Sequence, residues 1–407
     1  MNAATHPPIR EDVLASIGPT MGAFAARHGI PGIATRLIWR GRVIHTAYAG
    51  WQDGARTRPL SPGTIYRIYS MTKPVVCAGL MQLWESGQVR LDDMVADYIP
   101  GFSDLRVLEG SGALVPAGRS LHIWDLLTHT AGLTYDFLED NPVSALYREA
   151  RLMADATRPL GQMVTELSQL PLAFQPGVRW HYSLAMDVLA HLIEIISGQP
   201  LEDFLRQRFF IPLDMGDTGF SVPPSQLHRL AEMSGCPDVA VSTLSQSLAA
   251  QAAGDIQVRD VETTYPAQPT ACFARGGHGL FSSLEDYARF AAMLLNEGEL
   301  EGSRVLLPDT VRLMRSSQVP PASLPVAIGP EPHAGYGFGL GVRVRLNASD
   351  CAFPGANGEF GWEGAARTSF WVDQKHGLAG VLMMQHMVGR DWPEREFREL
   401  AYQALAR

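Results

Sequence analysis

A chain of 407 residues that is 46% hydrophobic and 18% charged can bury a large core and has room for two domains, which excludes a disordered protein. Its net charge of −9, with no basic cluster, argues against nucleic acid and anionic membrane as partners. Cys77, Cys236, Cys272 and Cys351 are too scattered for a metal-type or redox-type pair and read as reduced, buried thiols. The N-terminal stretch lacks the apolar core of a signal peptide, and no run reaches the length of a membrane span. A soluble cytoplasmic protein is therefore expected.

Residues 11–28 have the spacing of an amphipathic helix that stops at His28-Gly29. PGIATRLIWRGRVIHTAYAGWQD follows as a hairpin turning at Arg40-Gly41-Arg42. Val76, Leu80, Leu83 and Trp84 then recur on one helical face, with Ser70 as N-cap, Pro74 in the first turn and Gly87 at the stop. QVRLDDMVADYIPGF reads as an extended link. LHIWDLLTHTAGLTYDF reads as a short helix running into the Thr130-Ala131-Gly132 turn. From 141 to 206 the pattern is helical, broken at 174–177. A helix over 183–197 carries the stripe Leu184, Val188, Leu189, Leu192 and Ile195. The Ser-, Pro-, Ala- and Gln-rich stretch 221–272 has little periodicity and is expected to be long loops. A helix at 283–297, three strand-like segments (GYGFGLGVRVRL, RTSFWVDQ, LAGVLMMQHM) and a closing helix from Pro393 complete the chain. Strands thus cluster at both chain ends. The simplest topology joins residues 1–68 and 274–407 in one antiparallel sheet with terminal helices, leaving 69–273 as a mostly helical domain. The Ser70 helix falls where these two bodies meet, a usual place for a cleft.

The stretch with most chemistry in it is Ser70-Met71-Thr72-Lys73. Residues i and i+3 share a helix face, about 5–6 Å apart at Cβ, so the Lys73 amine can reach the Ser70 hydroxyl. A lone Ser-x-x-Lys says little, but of the 33 Lys and Arg residues only Lys73 and Lys375 are lysines. Surface charge tolerates arginine; a site that needs a deprotonatable amine does not. A solvated helix charge is the alternative for Lys73.

Ser70 also needs a proton acceptor. FQPGVRWHYSLAMDVLA places Tyr182 just ahead of a helix, and a nearby ammonium would lower its phenol pKa toward phenolate. A packed aromatic capping the helix is the alternative, and His181 is a rival base. In NGEFGWEGAARTSFWVD two glycines bracket Trp362-Glu363. Gly364 permits close backbone approach, and the next N–H, on Ala365, could join that of Ser70 as an oxyanion hole. The alternative is a glycine-rich β-turn with a buried Trp.

Taken together, YRIYSMTK, QVRLDDMVADYIPGF, LLTHTAGLTYDF, FQPGVRWHYSLAMDVLA, FFIPLDMGDTGF, ARGGHGLFSSLEDYARFAAMLLNEGEL and GWEGAARTSFWVD resemble the serine β-lactamase and penicillin-binding superfamily. Within it they are most similar to class C β-lactamases and family VIII carboxylesterases. The resemblance spans nearly the whole chain. It implies an α+β, β-lactamase/transpeptidase-like fold, with a central antiparallel sheet flanked by helices plus a mostly helical domain, and acyl-enzyme chemistry without metal or cofactor. By motif position it makes Ser70 the nucleophile, Lys73 its activating amine, Tyr182 the tyrosine of the Tyr-x-Asn motif, and Ala365 the second oxyanion N–H. Trp362, Gly364 and Tyr135 become candidates for substrate contact, although Tyr135 could equally be core. Asp187 becomes a support for Tyr182 or Lys73, with a solvated helix surface as its alternative.

Two departures bear on substrate. Leu184 stands where the motif has Asn, and Trp362-Glu363-Gly364 replaces the basic Lys-Thr-Gly, so an anionic Glu363 is expected to repel substrate carboxylates. The expectation is a carboxylesterase for small-molecule esters with short or apolar acyl groups. A β-lactamase or D-amino-acid amidase or peptidase, an acyltransferase, and a non-catalytic binding protein are the other readings. The chain has no Gly-x-Ser-x-Gly elbow of an α/β-hydrolase.

Overall fold

A computed structural model of the chain describes residues 9–268, 273–387 and 392–405. Cys272, the first eight residues and residues 406–407 of the expected closing helix lie outside these. The chain opens with helix α1 (Glu11–Arg27) and the expected hairpin, β1 (Gly32–Trp39) and β2 (Arg42–Gly50). Arg40 and Gly41 both take positive φ, 50° and 78°, as a tight two-residue turn between right-twisted strands requires. Five strands from the other end of the chain join the hairpin: β3 (Tyr336–Phe338), β4 (Arg343–Arg345), β5 (Phe360–Glu363), β6 (Ser369–Asp373) and β7 (Leu378–Met383). The sheet order is β3-β4-β5-β6-β7-β1-β2, with every pair antiparallel. Chain start meets chain end where Ala34 faces Met383 and Trp39 faces Leu378.

β7 and the centre of β6 (Phe370–Val372) read as unbroken apolar runs because both faces of the sheet are covered. Side chains alternate with period two. Leu378 and Leu382 join Trp371 against Ile17 and Met21 of α1 and Phe397 of the closing helix, α4 (Pro393–Leu405). Ala379, Val381 and Met383 join Phe370 and Val372 in the larger core on the opposite face. That face is covered by the Leu284–Leu295 helix. Trp371 lies over Gly380, where any Cβ would sit 2.2 Å from its ring, so the indole fills the place of a side chain on the neighbouring strand. Cys77 and Cys236 are free and buried, while Cys351 is free but half-buried, because it sits on a surface turn.

The middle of the chain is helical, with three differences from the sequence pattern. Val95–Tyr98 and Pro100–Phe102 are short helical turns rather than an extended link, since Val95, Ile99 and Phe102 are buried at helical spacing. In helix α3 (Ala185–Ser197) Ile195 is 41% exposed, and Ile196 packs on the core in its place. The stretch expected to be loops contains a helix, Leu244–Ala252, opened by a reciprocal Thr243/Gln246 cap. Only Ser247 of this helix is buried, so an apolar stripe never formed in the sequence. No helix among the described residues is long and apolar enough to cross a membrane.

Candidate active site

Ser70 is not the N-cap of its helix. It is the middle residue of a 3₁₀ turn, Tyr69–Met71, that leads into helix α2 (Thr72–Glu85), and its hydroxyl is thereby left free of capping. The turn is held from several sides. Ile68 N–H donates to Leu280 O at 3.1 Å, and the Tyr287 hydroxyl donates to Met71 O at 2.8 Å. The preceding residue, Tyr69, is forced to φ 45°, a strained conformation for a side chain of that size. Its ring packs edge-on against Tyr265, with centroids 4.9 Å apart.

One turn along α2, Lys73 Nζ lies 2.9 Å from Ser70 Oγ and donates to Gly277 O at 2.6 Å. The motif position that carries an amide in the resemblance is here the buried, apolar Leu184. Burial pushes the Lys73 amine down to about 7, with the Asp187 carboxylate opposing it, so near neutral pH the amine is partly unprotonated. Asp187 is fully buried, which rules out a solvated surface role. Its Oδ1 accepts from Gly277 N–H at 3.2 Å, so it meets Lys73 through Gly277. Burial also raises the Asp187 carboxyl, opposed by Arg275 and Lys73.

Tyr182 arrives from the other side. His181 N–H donates to His129 O at 2.8 Å and Leu184 N–H to Thr134 O at 3.2 Å, laying the Tyr182 segment beside the Thr130–Gly132 turn. Gly132 is indispensable there: its φ is 82°, and a Cβ would sit 2.3 Å from Phe174 O. The Tyr182 hydroxyl donates to Ser70 Oγ at 2.7 Å, and Lys73 Nζ sits 4.6 Å from the centre of its ring. Contrary to the expectation of a phenolate, burial drives the Tyr182 phenol above its ordinary range, outweighing the Ser70 hydrogen bond. It is therefore a donor. His181 is not brought to the site: Nε2 lies 3.0 Å from Thr134 Oγ1, Nδ1 lies 3.5 Å from Asp140, and its ring packs edge-on to Phe174.

The end of β5 closes the floor. Thr368 Oγ1 donates to Ile68 O at 3.2 Å, and a Cβ on Gly364 would sit 2.4 Å from that same carbonyl oxygen. Strand end and Ser70 turn therefore touch backbone to backbone, and Ala365 and Ser70 line one cavity. The cavity measures about 600 Å³. Trp362, Gly364 and Tyr135 line it as well, and Tyr135 is both wall and core, its ring 5.0 Å from that of Tyr182. Glu363 does not present an unopposed charge. Burial raises its carboxyl, but Arg343, 3.1 Å away, together with His333 and Arg367 holds it ionised below the usual range. The expected repulsion of carboxylates is largely neutralised by that pairing.

Several lining groups escaped the sequence reading. Leu244 and Leu248 of the exposed helix and Ile328 and Pro330 of a small hairpin form apolar walls. Gly277 and His278 come from ARGGHGL, where only the paired glycines hinted at close approach.

A strained turn that presents a serine to a buried amine and a phenol, beneath an antiparallel sheet built from both chain ends, defines the class: a serine hydrolase of the β-lactamase superfamily. A family model described as Beta-lactamase matches residues 19–404, and the chain belongs to that family. The resemblance drawn from the motifs is thereby borne out. Protein Rv1367c of Mycobacterium tuberculosis (strain ATCC 25618 / H37Rv) is 32% identical over 375 residues, covering 88% of this chain and 86% of its own. Esterase EstB of Burkholderia gladioli is 28% identical over 373 residues, covering 86% and 85%. Among solved structures, EstCE1, described as a hydrolase with promiscuous acyltransferase activity, matches with a TM-score of 0.78 at 25% identity, covering 96% of this chain and 99% of its own.

Proposed function

We propose that the protein is a carboxylesterase that works through a Ser70 acyl-enzyme. The observation that carries this reading is the convergence on Ser70 Oγ of Lys73 Nζ at 2.9 Å and Tyr182 OH at 2.7 Å, on the floor of a largely apolar cavity. Lys73, its amine lowered by burial, takes the Ser70 proton as Oγ attacks the ester carbonyl. The oxyanion is received by the N–H groups of Ser70 and Ala365. The Tyr182 phenol gives its proton to the departing alkoxide and regains one from the Lys73 ammonium, releasing the alcohol. Water then attacks the acyl-enzyme, its proton passes to the same pair, and the Ser70 oxygen leaves reprotonated with release of the acid.

The apolar walls favour a small-molecule ester with an apolar acyl or alcohol part. Leu184 in place of the motif amide, and Trp362 in place of the motif cation, support esters over β-lactams and peptides. The likeness to EstB supports the same choice. Acyl transfer to an alcohol is a second reading, favoured by the same apolar walls and by the likeness to EstCE1. The test is hydrolysis of short-chain 4-nitrophenyl esters by the parent and Ser70→Ala, run beside nitrocefin, with a fluorophosphonate probe reporting on Ser70. Ser70-dependent ester turnover with a much smaller kcat/KM for nitrocefin is expected. Parental turnover by Ser70→Ala would end the proposal. An added alcohol as competing acceptor separates transfer from hydrolysis.

A further inference from the structure

Trp362 is held on β5 between two rings, edge-on to Phe338 at 5.2 Å and tilted against Tyr182 at 5.6 Å between centroids. It is buried, and its indole N–H, a donor only, has no partner in the resting site. A stranded donor of this kind costs stability, and a part in the reaction is one of the few reasons to keep it. The acceptor beside it is the Tyr182 oxygen. Burial drives that phenol up; the Ser70 and Trp362 side chains oppose this by hydrogen bonding, while Glu363 and Asp187 add to it. In the resting site the Tyr182 hydrogen is given to Ser70 Oγ, so its oxygen is an uncharged, weak acceptor and the Trp362 bond is loose. Hydrogen bonds that serve a reaction commonly tighten only as charge develops.

Resting on the Ser70 esterase reading, we propose that Trp362 is a positioning residue whose indole N–H receives the Tyr182 phenolate as the alcohol departs. At that step the ester C–O bond breaks and the Tyr182 O–H proton passes to the alkoxide. The negative charge falls on the Tyr182 oxygen until the Lys73 ammonium returns a proton. Ser70 Oγ is by then bonded to the acyl carbon and has no hydrogen to offer. The Trp362 N–H remains, fixed in place and shielded from water, where a donor to a developing anion is worth most. Being neutral, it supports the phenolate without drawing substrate carboxylates into the cavity.

The test is how acylation depends on the leaving group, which a residue that only shapes the wall would not alter. Butyrate esters of 4-nitrophenol, phenol, trifluoroethanol and ethanol share one acyl group, and kcat/KM follows the steps up to acylation. Nitrophenolate leaves without a proton, whereas ethoxide needs the one from Tyr182. Rates are taken per Ser70 labelled by a fluorophosphonate probe, so unfolded protein does not count. Trp362→Phe should raise the nitrophenyl-to-ethyl ratio of kcat/KM about tenfold over the parent, whatever loss the esters share, the worth of one hydrogen bond to a charged group. The phenyl and trifluoroethyl esters should fall in between. Benzothienylalanine in place of Trp362 has sulfur where the N–H was, and should move the ratio the same way with the ring shape kept. In a Tyr182→Phe background, read on the nitrophenyl and phenyl esters, adding Trp362→Phe should move the ratio by less than about twofold. An equal loss on every ester, a ratio unmoved by benzothienylalanine, or the same change without the Tyr182 hydroxyl would overturn the proposal. If the parent shows no Ser70-dependent ester turnover, the esterase reading falls and takes this inference with it. Ser70-dependent turnover with an unmoved ratio sinks the inference alone.

Discussion

If Lys73 must lose its proton to activate Ser70, the pH dependence of kcat/KM reports that loss. The reacting form carries a neutral amine, so activity rises with pH and levels off above the Lys73 pKa of about 7. At pH 5 only about 1% of the amine is neutral, so kcat/KM should fall about a hundredfold below its plateau, with a slope of one on a logarithmic plot. The Asp187 carboxylate opposes the downward push of burial on Lys73. Asp187→Asn should therefore move the limb to lower pH, by about one pH unit. Lys73→Arg places a guanidinium that cannot deprotonate beside Ser70 and should lose about 10³-fold in kcat/KM at pH 8. A pH-stat assay on a simple ester, run from pH 5 to 9, avoids a chromophore that titrates in the same range. A flat profile, or Lys73→Arg keeping more than about a tenth of parental activity, would refute the assignment of Lys73 as base.

Gly364→Ala must push the end of β5 away from the Ser70 turn, since the new Cβ would lie 2.4 Å from Ile68 O and from Thr368 Oγ1. Stopped-flow release of 4-nitrophenol should show acylation slowed about a hundredfold, and a rate within threefold of the parent would refute the oxyanion placement. Asp136 is buried with Oδ1 unpartnered, and burial raises its carboxyl from 3.8 to about 7. The folded state holds the extra proton, so the associated stability is full below pH 3.8 and is lost as pH rises toward about 7, about 4 kcal/mol in all. Asp136→Asn should remove that slope from urea unfolding and be the more stable protein at pH 8. Arg398 of α4 reaches Glu359, just ahead of β5, at 2.6 Å and pairs within its own helix with Glu394 at 2.7 Å, all three buried. Arg398→Ala leaves the buried Glu394 carboxylate without its ion partner and Glu359 with Arg345 alone, and should lose about 3–5 kcal/mol in urea unfolding, with the kcat of the folded fraction unchanged.

The hairpin at Arg40-Gly41, the helix after Ser70, the two-faced strands β6 and β7, and the Ser70, Lys73 and Tyr182 set were legible in the one-dimensional pattern. All but Tyr182 are local matters, an apolar period, a turn residue, or a spacing of three on a helix; Tyr182 was placed by the motif resemblance. The exposed helix at Leu244–Ala252 was not, because a helix buried at one residue carries no stripe. Residue order also misled about charge. A tyrosine near an ammonium looks like a phenolate until its burial is known, and Glu363 looks like a bare anion until Arg343 arrives from a neighbouring strand. The sequence alone determined which functional groups the protein owns and most of the helices and strands around them. Only the tertiary structure decided their protonation, the Gly277 carbonyl that accepts from Lys73, and the unpartnered imidazole of His278. The reason is physical: pKa values and unmet hydrogen bonds depend on how much water is excluded and on which distant segments close over a group, and neither is encoded in any short stretch of chain.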